Sequence, residues 1–156
     1  FKMCGRKLKK DSYLCLFFHD SDLSVWNEVI KSLYECGFHF RGQVHVKKNA
    51  TLKNIISPKK SLGGASVLFF VNTKLEIPYL GGKESMEEIE INIIREAKYM
   101  LKNGLLSTTE LYDNGLMEIL IQNGWLDQLS KKYKSLVDLF EKHLYWDRAV
   151  GKWGTK

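Results

Sequence analysis

With 156 residues, 44% of them hydrophobic and 27% charged, the chain suits one ordinary domain, or a small α/β piece joined to a helical piece, but not two full domains. No apolar run approaches the roughly 18 to 20 residues of a membrane span, and Phe1–Lys10 is basic without the apolar stretch of a secretory signal, so no membrane partner and a cytoplasmic location are expected. The net charge of +6 is unevenly divided: residues 1–74 carry 13 Lys or Arg against 5 Asp or Glu, and residues 75–156 carry 11 against 13, which makes the first half the candidate for contact with a polyanion.

Tyr13-Leu-Cys-Leu-Phe-Phe18 is an apolar run that reads as a strand needing cover on both faces. Entered within a dozen residues of Phe1, it reads as part of a larger domain. The turn His19-Asp20-Ser21-Asp22 offers Ser21 or Asp22 as a helix N-cap, since a side-chain oxygen there can accept from a free first-turn amide. Leu23, Trp26, Ile30 and Leu33, with Val29 and Cys36 beside them, then recur at spacings of three and four. That spacing predicts a helix with one face on a sheet, ended by Gly37 in the left-handed conformation.

From Phe38 the period changes to two. Phe38, Phe40, Val44 and Val46 would share the buried face of a strand, and His39, Arg41, Gln43, His45 and Lys47 a basic outer face. Ala65–Thr73 is apolar on both faces and should lie inside the sheet, with Gly63-Gly64 turning into it. Between these strands runs the connection from Lys48 to Gly64. Nothing from Phe38 to Leu75 is acidic, whereas Arg41, Lys47, Lys48, Lys53, Lys59, Lys60 and Lys74 are basic, a pattern suited to phosphate contact.

Ile77-Pro78-Tyr-Leu-Gly-Gly82 marks a junction, giving an α/β part over residues 1–80 and a helical subdomain over 81–156. Ser85-Met-Glu-Glu88 is a capping box opening a helix whose buried stripe is Met86, Ile89, Ile93, Ala97 and Met100, ended by Gly104. A second box, Ser107-Thr-Thr-Glu110, opens a helix expected to run to Gly124 despite Gly115. A third helix starts near Ser135, and Tyr145, Trp146 and Trp153 form an aromatic tail expected to fill a core.

Cys4, Cys15 and Cys36 form no C-x-x-C pair, and the four histidines share no metal-ligand spacing, so neither a disulfide framework nor a metal site is expected.

In order and pattern, residues 1–75 resemble the distal part of the catalytic domain of the S-adenosylmethionine-dependent DNA amino-methyltransferases, which methylate adenine N6 or cytosine N4. Arg6-Lys-Leu-Lys9 is similar to that family's Arg-x-Leu-Lys helix end. Leu16-Phe-Phe-His-Asp-Ser-Asp-Leu-Ser-Val-Trp26 is similar to its strand and Trp-containing helix start, although Lys10-Asp11-Ser12 replaces the usual Pro-Gly or Gly-Gly turn. Gly37-Phe38 and the two strands after it resemble the family's helix-to-strand junction and closing antiparallel pair.

The resemblance implies an α+β fold: part of a Rossmann-like sheet in strand-helix-strand-strand order, its last pair antiparallel, followed by helices. It implies DNA and the remainder of a methyltransferase chain as partners. It places the β-strand connection beside a flipped base, with Lys47, Lys48, Lys53, Lys59 and Lys60 on phosphates and Asn49, Thr51 and Asn54 as polar contacts. Leu52, Ile55 and Ile56 would be the apolar flank of the base.

Two parts of the family pattern have no counterpart. Gly63-Gly64 precedes a strand rather than a helix, so no residue here is assigned to S-adenosylmethionine. No Pro-Pro occurs, so the Asp/Asn-Pro-Pro-aromatic tetrapeptide is absent and no catalytic residue is assigned. The chain alone is therefore expected to be inactive. The residues also admit a non-catalytic nucleic-acid-binding module, or a scaffold whose helical half docks a partner.

Overall fold

The structure is a computed structural model that describes residues 1–47, 56–60 and 62–156. It is a mixed α+β protein. A helix α1 (Lys2–Lys7) leads to β1 (Tyr13–Phe18), α2 (Leu23–Tyr34), β2 (Phe38–Lys47) and β3 (Gly64–Asn72). The three strands form one sheet in the order β1-β3-β2, and β3 runs antiparallel to both neighbours. β1 and β2 therefore point the same way without touching, as the ends of a strand-helix-strand unit with the third strand inserted between them. The central position of β3 explains its doubly apolar sequence: its alternate residues Leu68 and Phe70 are fully buried, while Val67 and Phe69 on the other face are only half-buried.

α2 forms as its pattern requires. Asp22 caps it by accepting from the Ser24 amide at 2.9 Å, and Leu23, Trp26, Ile30 and Leu33 are buried. Gly37 ends the segment at φ 81, where a Cβ would be strained. The indole of Trp26 donates to the Asp20 carbonyl at 2.9 Å and meets Phe18 edge-on at 4.6 Å, which fixes the turn between β1 and α2.

One expectation about the sheet fails, on β2, and β1 keeps one of its two apolar faces open. Among the described residues β1 is covered on one face only: Leu14, Leu16 and Phe18 pack towards the core, whereas Tyr13 and Phe17 are 63% and 72% exposed. An apolar run shows that a strand has apolar residues on both faces, but not that a second layer is present in the same chain. In β2 a bulge between Phe40 and Gly42 makes Arg41 the extra residue. Each later side chain is turned to the opposite face. Gln43 and His45 thus point inwards, opposite Leu68 and Ser66, and Val44 and Val46 point out, 56% and 40% exposed. The outer face of β2 is apolar there rather than basic.

α1 is tied to the end of β3. The buried amide of Asn72 donates to the carbonyls of Gly5 and Leu8 at 3.1 and 3.0 Å, and Lys74 adds its ammonium to the same two carbonyls. These are helix-end acceptors with no intrahelical partner.

The remaining chain is α3 (Met86–Met100), α4 (Thr108–Leu111), α5 (Met117–Gln122), α6 (Leu126–Lys132), α7 (Leu136–His143) and a hairpin of β4 (Leu144–Asp147) and β5 (Lys152–Thr155). Both expected capping boxes are present, Ser85 with Glu88 and Ser107 with Glu110. The expected Ser107–Gly124 helix is broken. Gly115 adopts φ 122, which no right-handed helix accommodates, and a wide turn over Tyr112–Leu116 separates α4 from α5. The tail is a hairpin, with Trp153 fully buried between Phe140 and Trp146 and its indole donating to Thr108 Oγ1 at 2.9 Å. One contiguous cluster of buried side chains runs from Leu23 through Phe70, Ile93 and Leu120 to Trp153, so residues 1–80 and 81–156 share a core.

Candidate nucleic-acid interface

The basic connection leaves the sheet at Lys47 and returns at Gly64, which face each other across the last pair of the β2–β3 ladder. Lys48, Asn49, Thr51, Lys53 and Asn54, with Leu52 and Ile55, lie outside the described residues. Ile56 is 72% exposed and Lys60 is exposed, both on the return limb.

Lys59 has a different environment. Its ammonium pairs with Glu141 on α7 at 2.7 Å and lies 5.2 Å from the centroid of the Trp153 ring. The Lys59 charge in turn holds the Glu141 carboxyl below its ordinary range. The backbone is also secured, since Thr108 Oγ1 donates to the Lys59 carbonyl at 2.7 Å and the Gly63 amide donates to Thr109 Oγ1 at 2.6 Å. The start of α4 therefore grips the return limb twice.

Where the connection meets the sheet, the inward turn of β2 produces a polar cluster that the pattern of apolar residues does not reveal. His45 Nδ1 lies 2.5 Å from Asp113 Oδ2, a close approach without hydrogen-bond geometry, and Ser66 Oγ donates to Asp113 Oδ1 at 3.0 Å. Burial raises the Asp113 carboxyl above its ordinary value, opposed by His45, the Ser66 hydroxyl and His19. Gln43 Nε2 donates to the Tyr112 carbonyl at 3.2 Å. His19, Asp20, Phe18 and Trp26 are among the residues that line a small cavity beside this cluster. The sequence signal that could have found it is Arg41-Gly42, because a glycine inside an alternating strand marks a bulge.

Gly64 packs against the same cluster. It opens a strand, and a Cβ on it would sit 2.2 Å from His45 Cε1, so its small size accommodates the imidazole. Among the described residues no group of three or more His, Cys, Asp or Glu side chains is placed to hold a metal ion, and no helix is long and apolar enough to cross a membrane. No family model, curated protein or solved structure matches the chain.

Proposed function

We propose that this chain is the distal part of the catalytic domain of an S-adenosylmethionine-dependent DNA amino-methyltransferase, acting in the cytoplasm and supplying a sheet edge and a basic, DNA-facing connection. The observation that carries the reading is the β1-β3-β2 sheet. A strand-helix-strand unit takes up an antiparallel third strand between its two strands, and β1 pairs on one edge only among the described residues. The outer face, with Tyr13, Phe17, Val44 and Val46 exposed, suits coverage by the remainder of a larger, Rossmann-like domain.

In this reading Lys47, Lys48, Lys53 and Lys60 contribute positive charge towards phosphates, Lys59 being paired with Glu141, and Asn49, Thr51 and Asn54 give polar contacts. No residue of this chain is assigned to the cofactor: Gly63-Gly64 leads into a strand, and Gly64 packs on His45. The rest of the enzyme would hold it.

The test is the complete coding sequence together with a methylation assay. The account expects a Gly-rich cofactor turn and an Asp/Asn-Pro-Pro-aromatic tetrapeptide outside residues 1–156, and no methyl transfer to DNA by the chain alone. A complete coding sequence with neither element would contradict it.

A second reading, a helical interaction scaffold, draws on a groove of about 930 Å³ along α3, floored by Ile91, Ile94 and Tyr99. Ile91 and Tyr99 are 65% and 64% exposed, and a stable dimer in solution would favour this reading.

A further inference from the structure

Asp113 belongs to the helical half, yet its carboxylate is held by the two strands that bear the basic connection. Its Oδ2 meets His45 near the end of β2, its Oδ1 meets Ser66 near the start of β3, and His45 and Ser66 are direct register partners. One carboxylate thus ties together both flanks of the connection, two residues before its exit and two after its return. The same wide turn reaches β2 again through the Tyr112 carbonyl and Gln43. The grips of Thr108 on Lys59 and of Thr109 on Gly63 lie on the same side.

This arrangement is more than packing. The Asp113 and His45 side chains are only 10% and 16% accessible, and while His45 Nδ1 approaches the carboxylate without hydrogen-bond geometry, the Ser66 hydroxyl gives it a formed hydrogen bond. Strand ends beside a long connection are where a sheet opens first. The groups facing the pair are Ser66 from β3, with His19 and Asp20 from the end of β1.

We propose that Asp113 is a positioning residue for nucleic-acid binding: through His45 and Ser66 it clamps both flanks of the β2–β3 connection to the helical half and so fixes where the basic residues meet phosphates. The proposal rests on the DNA-binding reading above. It gives the helical half a role in that reading, as the clamp that holds the two flanks of the connection.

The experiment compares the wild-type chain with Asp113→Asn, Ser66→Ala, His45→Ala and His45→Asn in two measurements. The first is amide hydrogen exchange, reading Val44–Val46 and Ala65–Ser66 against the middle of the sheet at Leu68–Phe70. The second is binding to a duplex oligonucleotide by fluorescence anisotropy across a range of salt. In Asp113→Asn, whose amide offers a donor where a carboxylate oxygen accepts, exchange at the flanks should rise about tenfold or more with Leu68–Phe70 unchanged.

DNA affinity should fall about three- to tenfold at an unchanged salt slope, since no cation is removed. His45→Asn, whose side-chain NH₂ can donate to the Asp113 carboxylate, should keep most of the affinity that His45→Ala loses. Should Asp113→Asn fail to fold, Ser66→Ala carries the comparison, because it removes a single hydroxyl. Unchanged flank exchange, or unchanged affinity with altered exchange, overturns the clamp alone. Absence of DNA binding by the wild-type chain overturns the DNA-binding reading itself, and the clamp's role with it.

Discussion

Lys59 and Glu141 face each other at 2.7 Å, joining the return limb of a basic connection to a helix of the opposite half of the chain. The pair distinguishes two lysines that are adjacent in sequence and identical in type. Lys59 is partly withdrawn from solvent over Trp153, whereas Lys60 is exposed.

Lys59→Ala should therefore act mainly on stability, lowering it by about 1 kcal/mol through the lost ion pair and ring contact. Lys60→Ala should leave stability within about 0.5 kcal/mol of wild type and reduce the salt slope of DNA binding by about 1. Urea midpoints and salt titrations of the two variants give the comparison, and equal behaviour of the two would contradict it.

Gly64 and Gly42 lie on adjacent strands and should respond differently to alanine. A Cβ on Gly64 would fall 2.2 Å from His45 Cε1 and 2.5 Å from the Val46 carbonyl oxygen, whereas a Cβ on Gly42 has open space. Gly64→Ala should cost about 1 to 3 kcal/mol by overpacking, and Gly42→Ala should stay within about 0.5 kcal/mol. Thermal melts of both variants check this.

Asp127 on α6 accepts from Lys131 at 2.7 Å, from Lys31 at 2.5 Å and from Asn27 at 3.3 Å, and so fastens α6 to α2. The Lys131 and Lys31 hydrogen bonds, helped by Asn27, hold its carboxyl well below the ordinary value of 3.8. A depressed folded value means that the stabilisation is fully present above 3.8 and is lost as pH falls through the lower folded value. Asp127→Asn should cost about 1 to 2 kcal/mol near neutral pH, with the difference from wild type shrinking as the solution is acidified below the ordinary carboxylate range. Urea denaturation at a series of pH values measures that convergence.

Phe17 and Val44 belong to the open sheet face, 72% and 56% exposed. Replacing them with Ser and Thr should change the stability of this chain by less than about 1 kcal/mol while reducing self-association, because the apolar face is then broken by polar groups. Sedimentation velocity over a concentration series reads the effect. A large loss of stability would mean that the face is covered within the chain.

Much of the local structure was legible because single residues dictate it. The Leu23-Trp26-Ile30-Leu33 spacing, Gly37 at the helix end and the boxes at Ser85 and Ser107 each act within one or two turns of chain, and the structure bears them out. What was not legible depended on partners distant in sequence. The bulge at Arg41 shifts the β2 register against β3 and reverses the faces of Val44 and His45, which sequence alternation alone cannot reveal. Gly115 was read as a weak point in a helix, whereas it breaks the helix with a left-handed residue.

The hairpin of Tyr145–Trp146 with Trp153 was read as a tail, although Gly151 at φ 66 supplies its turn. Of the eight residues assigned to DNA, five fall outside the described part of the chain, while Lys47 closes the β2 ladder, Lys59 is paired with Glu141 and Lys60 is exposed. The His45–Asp113–Ser66 cluster needed the bulge, the sheet register and the broken helix together, and of these only the bulge has a local signal, at Arg41-Gly42.

Salt dependence of duplex DNA binding by this chain, measured from about 50 to 200 mM salt, tests whether the β2–β3 connection faces phosphates. The account predicts a linear fall of log affinity with log salt concentration, with a slope that becomes progressively shallower as Lys47, Lys48, Lys53 and Lys60 are replaced by Gln. Absent binding, or binding that neither salt nor those replacements alter, would contradict a phosphate-facing role for the β2–β3 connection and the methyltransferase reading built on it.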